Sequence, residues 1–258
     1  MGMTDFDAVI RGWAGRQART VGNTRGPSEN IPMEVDWSKV RQSTVKTTFT
    51  TPVHQQQGGG TPRSQIVFTS NYDNNTDEVQ NHTFQMDRAT EATVKTFVTK
   101  GFSKNGNVDI HIDVPQVVSD MTGGFGSDIV VASEDQSTVK HAVSWGLNST
   151  VKAQPNKRTI AELRITEIEH HCTFEAEVNI RGRVFVRVNN GGSTQVVEGD
   201  IATILKDELN DAAARNDGMV SIQGRKVTWK VAGGLRFKFG VSQDVKVKSE
   251  KLPPQLPC

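Results

Sequence analysis

Asn107-Val108-Asp109-Ile110-His111-Ile112-Asp113-Val114 alternates polar and apolar residues without a fault. Successive side chains of a strand point to opposite faces. Val108, Ile110, Ile112 and Val114 therefore make an apolar face, and Asn107, Asp109, His111 and Asp113 a polar one. The next segment, Pro115 to Gly126, is glycine-rich like a loop, yet it carries Val117, Val118, Met121 and Phe125. A second strand returns from Ser127 with Ile129 and Val131 on one side; Asp128 and Glu134 are its polar candidates. The pattern predicts an amphipathic hairpin with an apolar tip and polar stems. Its arms, 107–115 and 127–135, have about the 9–11 residues that a barrel strand needs to cross a bilayer. One hairpin alone leaves backbone groups unpaired in lipid, whereas several copies closing a ring satisfy them. A hairpin half-buried in a soluble sandwich gives the same alternation, so the pattern leaves both readings open.

Composition points the same way. The 258 residues include 31 Val and 25 Thr against 7 Leu. Val and Thr are stiff at the first side-chain torsion and suit a pleated surface, whereas Leu prefers helices. Hydrophobic residues make up 35% and aromatics 6%, below the usual globular share. This excludes a helical bundle, a coiled coil and a helical membrane protein. With 30 basic and 29 acidic residues the net charge is +1, so no nucleic-acid partner is expected. The first 16 residues hold Asp5 and Asp7 and no apolar core segment, so no signal peptide is expected. The expectation is a chain released by another route, or already mature.

Around the hairpin the chain reads as mostly strand. Phe6, Val9, Ile10 and Trp13 fall on one helical face and predict a helix over 4–16, with Thr4 as its cap. Gln55-Gln-Gln-Gly-Gly-Gly-Thr-Pro62 is the clearest break. It divides an N-terminal accessory region (1–60), which the resemblance given below would make receptor-facing, from a main module (61–258). Strand character marks 40–53, 65–70, 95–102, 108–114, 127–132, 139–145, 159–168, 172–188, 195–198, 227–231, 235–241 and 245–248. A later helix is predicted over 200–215, capped by Asp200. The tail, 249–258, is too proline-rich to continue a sheet.

The residues flanking the hairpin carry a resemblance. Thr69-Ser-Asn-Tyr-Asp-Asn-Asn-Thr-Asp-Glu-Val-Gln80, Thr83-Phe84 and Arg88-Ala-Thr-Glu-Ala-Thr93 resemble the entry strand of the aerolysin and epsilon-toxin family of β-pore-forming proteins. Val143-Ser-Trp-Gly-Leu-Asn-Ser-Thr-Val-Lys-Ala-Gln-Pro155 is similar to that family's return strand, with Gln154 where a first proline often stands. Ile180-Arg-Gly-Arg-Val-Phe-Val186, Glu198-Gly-Asp-Ile201 and Gly234-Leu-Arg-Phe-Lys-Phe-Gly-Val241 continue the pattern, so the likeness spans about 65–248.

The resemblance implies an elongated all-β molecule of long antiparallel strands with a short N-terminal helix, which forms a β-barrel pore on oligomerisation. A secreted or released monomer would bind a target membrane, through a glycan, lipid or protein receptor. It would then close a ring of about seven to nine copies and insert the hairpin at about 101–138. Val108, Ile110, Ile112, Val114, Ile129 and Val131 would face lipid. Val117, Val118, Met121 and Phe125 would lead. Asn107, Asp109, His111, Asp113, Asp128 and Glu134 would line the lumen, and the acids predict a preference for cations. Lys246, Lys248 and Lys251 offer an activating cleavage site. A non-lytic glycan- or lipid-binding protein of the same fold is the second reading.

No catalytic role, cofactor or metal is expected. His170 and His171 are adjacent in a strand and point to opposite faces; His170 and Cys172 share a face without a third ligand. No nucleophile elbow, metalloprotease helix or phosphate loop occurs. Gly191-Gly192 and Gly233-Gly234 read as hairpin turns. Asn74, Asn81 and Asn148 begin glycosylation sequons.

Overall fold

The computed structural model describes residues 2–21, 32–51, 62–120, 125–133, 135–189, 193–209 and 218–252. The expected break at 55–62 falls almost wholly outside these, as do the Gly191-Gly192 turn and the end of the helix expected over 200–215. The spine is two long strands where the sequence suggests five short ones. The strand β9 (Lys157–Asn189) runs unbroken for 33 residues and β12 (Lys226–Lys251) for 26. At about 3.3 Å per residue, β9 would span roughly 110 Å if straight, so the molecule is elongated. Polar Glu169, His170 and His171 make the sequence look interrupted, but they continue the ladder opposite Lys238, Phe237 and Arg236. β12 also takes in the first residues of the expected tail, Ser249 to Lys251, because its prolines begin only at Pro253.

The other elements dress this spine. In chain order they are β1 (Met3–Asp5), α1 (Phe6–Val21), β2 (Met33–Asp36), β3 (Val40–Thr50), β4 (Arg63–Asn74), β5 (Gln80–Ser103), β6 (Ile110–Asp113) and α2 (Gln116–Ser119). After them come β7 (Asp128–Val131), β8 (Ser137–Ala153), β10 (Thr194–Asp200), α3 (Ile201–Glu208) and β11 (Val220–Gln223). Along β9, β4 pairs with the first third, β3 with the middle, and β2 and β10 with the last. β5 pairs with β8 over Gln80–Thr96 and with β12 over Thr93–Lys100, so it passes from one layer to the other.

Two cores result. At one end β5 and β8 lie over β4, β9 and β12, enclosing Phe84, Val151, Ala161 and Leu163. At the other, α1 inserts Phe6 among Phe102, Trp229 and Trp37, with ring centroids 4.7, 5.0 and 6.3 Å away. α1 begins at Phe6. Its cap is Asp5, whose Oδ1 accepts the Asp7 N–H at 2.8 Å and the Ala8 N–H at 3.2 Å, and not the expected Thr4. α3 is capped by Asp200 as expected, and its helical residues end at Glu208.

Gly233 and Gly234 are not a turn. They lie inside β12 at a bulge. A Cβ on Gly233 would stand 2.1 Å from the Phe97 carbonyl oxygen, and one on Gly234 2.2 Å from the Phe97 ring. These glycines let three strands pack closely, a use that sequence alone does not separate from a turn. Asn74 is fully buried and its Nδ2 donates to the Glu78 and Ala153 carbonyls at 2.7 and 3.0 Å, so this fold gives a glycan no room there. Lys246 and Lys248 are paired to β9 opposite Glu162 and Ile160; cleavage there requires β12 to leave β9 first.

Candidate membrane-insertion hairpin

The sequence-predicted hairpin exists, and it forms a two-stranded sheet of its own. Ile110 pairs with Val131, His111 with Val130, Ile112 with Ile129 and Asp113 with Asp128. The first strand is shorter than the alternation suggests. Asn105 (φ 53°) and Asp109 (φ 47°) adopt the left-handed conformation that Asn and Asp tolerate. Asn107 and Asp109 therefore precede β6, next to a turn closed by Lys104 and Asn107.

The two faces separate as the alternation requires. Val108, Ile110, Ile112, Ile129 and Val131 are all at most 4% exposed and belong to the main core. Val114 and Val117 are half-buried against that core. Asp113 and Asp128 lie outward, and His111 Nδ1 bonds Asp128 Oδ2 at 2.7 Å. This pairing sets the second strand's register, which the sequence left loose, and puts Asp128 on the polar face. Val130 joins that face, 42% exposed.

At the tip, α2 replaces the expected irregular loop, and Val118 and Phe125 are buried. Phe125 sits edge-on to Phe237, Phe239 and His141 at 5.4, 5.7 and 5.5 Å. Met121 and Glu134 lie outside the described residues.

Few directional bonds tie the hairpin to the body. Asp7, itself buried on α1, accepts the Asn105 N–H at 2.6 Å and the Trp37 indole N–H at 3.2 Å. Gln42 Nε2 donates to the Asp109 carbonyl. Between β6 and β3 there is a cleft of about 370 Å³ lined by Gln42–Thr47 and Asp109–Asp113. The free edge of β6 is thus not stitched into the main sheet. Sequence reading missed Asp7, Gln42, His141, Phe237 and Phe239, because each reaches the hairpin only through long-range packing. The alternation of Phe237 and Phe239 was the one available signal.

His170 and His171 point apart as expected, the first 1% exposed and the second reaching Glu169 at 3.8 Å. Burial pushes the Cys172 thiol up to about 12. Among the described residues no group of three or more His, Cys, Asp or Glu is placed to hold a metal ion. No described helix is long and apolar enough to cross a membrane, which says nothing of strands.

This arrangement of long antiparallel strands carrying a folded-back amphipathic hairpin is the aerolysin-type fold that the sequence resemblance implied. No family model and no curated protein sequence matches the chain. Solved structures do. One is a protein described as a non-toxic crystal protein from Bacillus thuringiensis (14% identity, TM-score 0.58, covering 97% of this chain and 98% of that one). Another is the Cry23Aa1–Cry37Aa1 binary protein complex (14%, 0.49, 97% and 91%). A third is the parasporin-2 toxin of Bacillus thuringiensis, described as recognising cancer cells (13%, 0.43, 86% and 77%).

Proposed function

We propose that this chain is a β-pore-forming protein that is released as a soluble monomer, assembles into a ring on a target membrane and inserts residues from about 101 to 138 as its share of a β-barrel. The observation that carries this reading is the hairpin itself. Its apolar face is buried apart from half-buried Val114 and Val117, its polar face is wet, and the outer edge of β6 pairs with no described strand. Seven of its side chains (Val108, Ile110, Ile112, Val118, Phe125, Ile129 and Val131) are buried. Together they hold it down by roughly 10–20 kcal/mol of apolar burial, an upper bound. That is too much to give up to water and is largely recovered in lipid, so release is coupled to a membrane. The protein acts as a pore and not as an enzyme.

Strand register adds a mechanism. In the β5–β8 ladder every pair of partner numbers adds to 233 (96 and 137, for example). In the hairpin each pair adds to 241 (110 and 131). The offset of eight lies in 97–109, thirteen residues against the five of 132–136. The first of those thirteen are occupied by pairing with β12 and by the turn at Lys104–Asn107. If they detach, the β5–β8 ladder can zip onward without a bulge. Val108 then faces Phe125, Asn105 faces Asp128, and the tip moves to Gln116–Val117. The apolar residues stay on one face, toward lipid. Asn107, Asp109, His111, Asp113 and Asp128 stay on the other, toward a cation-preferring lumen. Each arm, 97–115 and 118–136, is then longer than the ~9–11 residues required.

Two cysteine pairs in a Cys258→Ser background test this. Asn105→Cys with Asp128→Cys should cross-link only in the membrane-bound ring. Asp113→Cys with Asp128→Cys should cross-link in the monomer and block dye release from liposomes until reduced. Unimpaired release from the second variant while oxidised would overturn the zipping step. Absence of rings and of dye release from the wild-type chain would overturn the pore itself. That outcome would favour the second reading, a non-lytic glycan- or lipid-binding protein. The structural match described as non-toxic gives that reading its support.

A further inference from the structure

A second feature lies near the start of β3, on the outer face of the sheet. Arg41 stands directly opposite Arg181 in the β3–β9 ladder. On the other side of β9, Val227 pairs with Ile180, which brings Lys226 alongside Arg181. Ile180 and Val227 point into the core, so Arg41, Arg181 and Lys226 project outward, three cations abreast on three neighbouring strands. Lys39 and Arg225 close the two ends, and the five line a groove of about 410 Å³.

Asp200 is the one carboxylate among the described residues of that lining, and it is already engaged. Its Oδ1 accepts the Ala202 N–H at 3.1 Å and its Oδ2 accepts Arg225 Nε at 2.9 Å. Among the described residues, no carboxylate pairs with Lys39, Arg41, Arg181 or Lys226. Like charges directly opposite each other destabilise a sheet. Several other outward cations have a carboxylate partner: Lys238 pairs with Glu167, Lys230 with Glu175, Arg187 with Glu34, Lys140 with Glu91 and Arg183 with Glu198. Four cations without a carboxylate at ion-pair distance, among the described residues, thus converge on one groove.

We infer that this groove is an anion site that binds the phosphomonoester headgroup of an anionic lipid, with Arg41 and Arg181 gripping the phosphate oxygens and Lys39 and Lys226 adding charge. Arginine's planar fork suits bidentate contact with phosphate, and the groove is large enough for a headgroup. The inference rests on the membrane-acting reading and supplies its first contact with the target surface.

The test uses the full chain with three probes: phosphatidylcholine vesicles, the same vesicles containing phosphatidic acid, and inorganic phosphate. The expected result is co-sedimentation with the phosphatidic acid vesicles only, weakened at least tenfold by Arg181→Glu. Arg11→Glu, the same change of charge on an exposed face of α1, should leave it within twofold. Without ligand, Arg181→Glu should raise the melting temperature by about 2 °C, because it relieves the repulsion from Arg41. Equal losses in the two variants would reduce the effect to overall charge and overturn the site. Stabilisation of the wild-type chain by inorganic phosphate without vesicle binding would overturn the lipid source. Vesicle binding that survives in a chain unable to release dye would leave the groove standing and remove only the pore.

Discussion

The β9–β12 spine and the β6–β7 hairpin are made of the same material. Both alternate Val, Ile and Phe with charged or polar residues, and both bury one face. They differ in how they are fastened. β12 is laddered to β9 from Val227 to Lys251, so main-chain hydrogen bonds fix its position along its whole length. The hairpin has four paired residues per strand and reaches the body through side-chain burial, Asp7 and Gln42. Ladder bonds are directional and cooperative, whereas apolar contact is neither and can be remade against any greasy surface. Under the proposed insertion, the element that stays is fixed by its backbone and the one that leaves is held by its side chains.

The largest effect should come from the spine. Gly233→Ala places a methyl 2.1 Å from the carbonyl oxygen of Phe97 and against the Phe174 ring. Neither strand can yield without breaking the ladder, so soluble expression should be lost. Gly126, at φ 74° on the hairpin, is different: a methyl added there would meet nothing within 4 Å. Gly126→Ala should cost only about 1 kcal/mol of backbone strain. Comparable yields of the two variants would contradict the contrast.

The hairpin was legible because its alternation is local. Val108 through Val114 carries its own two faces, and burial of Ile110 and Ile112 follows. The length of β9 and β12 was not legible, since a run such as Glu169-His170-His171 looks like a break until a partner strand continues past it. Gly233-Gly234 failed for a related reason: what requires glycine there is a neighbour distant in the sequence. Asp7 and Gln42 carry no local mark of their role at all. Burial also limits what the alternation alone would suggest as a test. Ile110 packs against the body, so Ile110→Asp disturbs the folded monomer as well as any inserted barrel.

At the junction of the two regions, Phe125→Ala should loosen the hairpin by about 3 kcal/mol, the low end for such a truncation because Phe237, Phe239 and His141 can close over the gap. The expected signs are binding of an apolar dye and faster proteolysis within 104–136, with the spine still folded. A single cooperative transition with no local opening would show that hairpin and spine are not separate units.

His170 provides a smaller, pH-dependent effect at the same junction. It lies under Phe237 with neither ring nitrogen bonded, and burial, then the neighbouring His171, pushes its pKa below the ordinary value. Below about pH 6.5 the unfolded chain takes up this proton more readily than the folded one. Stability is therefore full above that pH and falls as the pH drops toward the lowered folded value. Urea unfolding of His170→Phe should show a shallower loss between pH 7.5 and 5 than the wild type. Identical slopes would assign the acid sensitivity to other groups.

The finest comparison uses one chemistry in both regions. Gln42 Nε2 donates to a carbonyl of the hairpin, and Gln243 Nε2 donates to the Gly146 carbonyl at 3.0 Å from within the spine. Replacing either with Ala should cost about 1 kcal/mol or less in global unfolding, the net worth of such a bond. Their kinetic effects should differ. Gln42 is one of the few directional ties that must break before the hairpin leaves, so Gln42→Ala should shorten the lag before dye release. Gln243 ties elements that remain together, so Gln243→Ala should leave the lag unchanged. If both shorten it equally, the lag reports overall stability, and the hairpin is no more separately fastened than the spine that carries it.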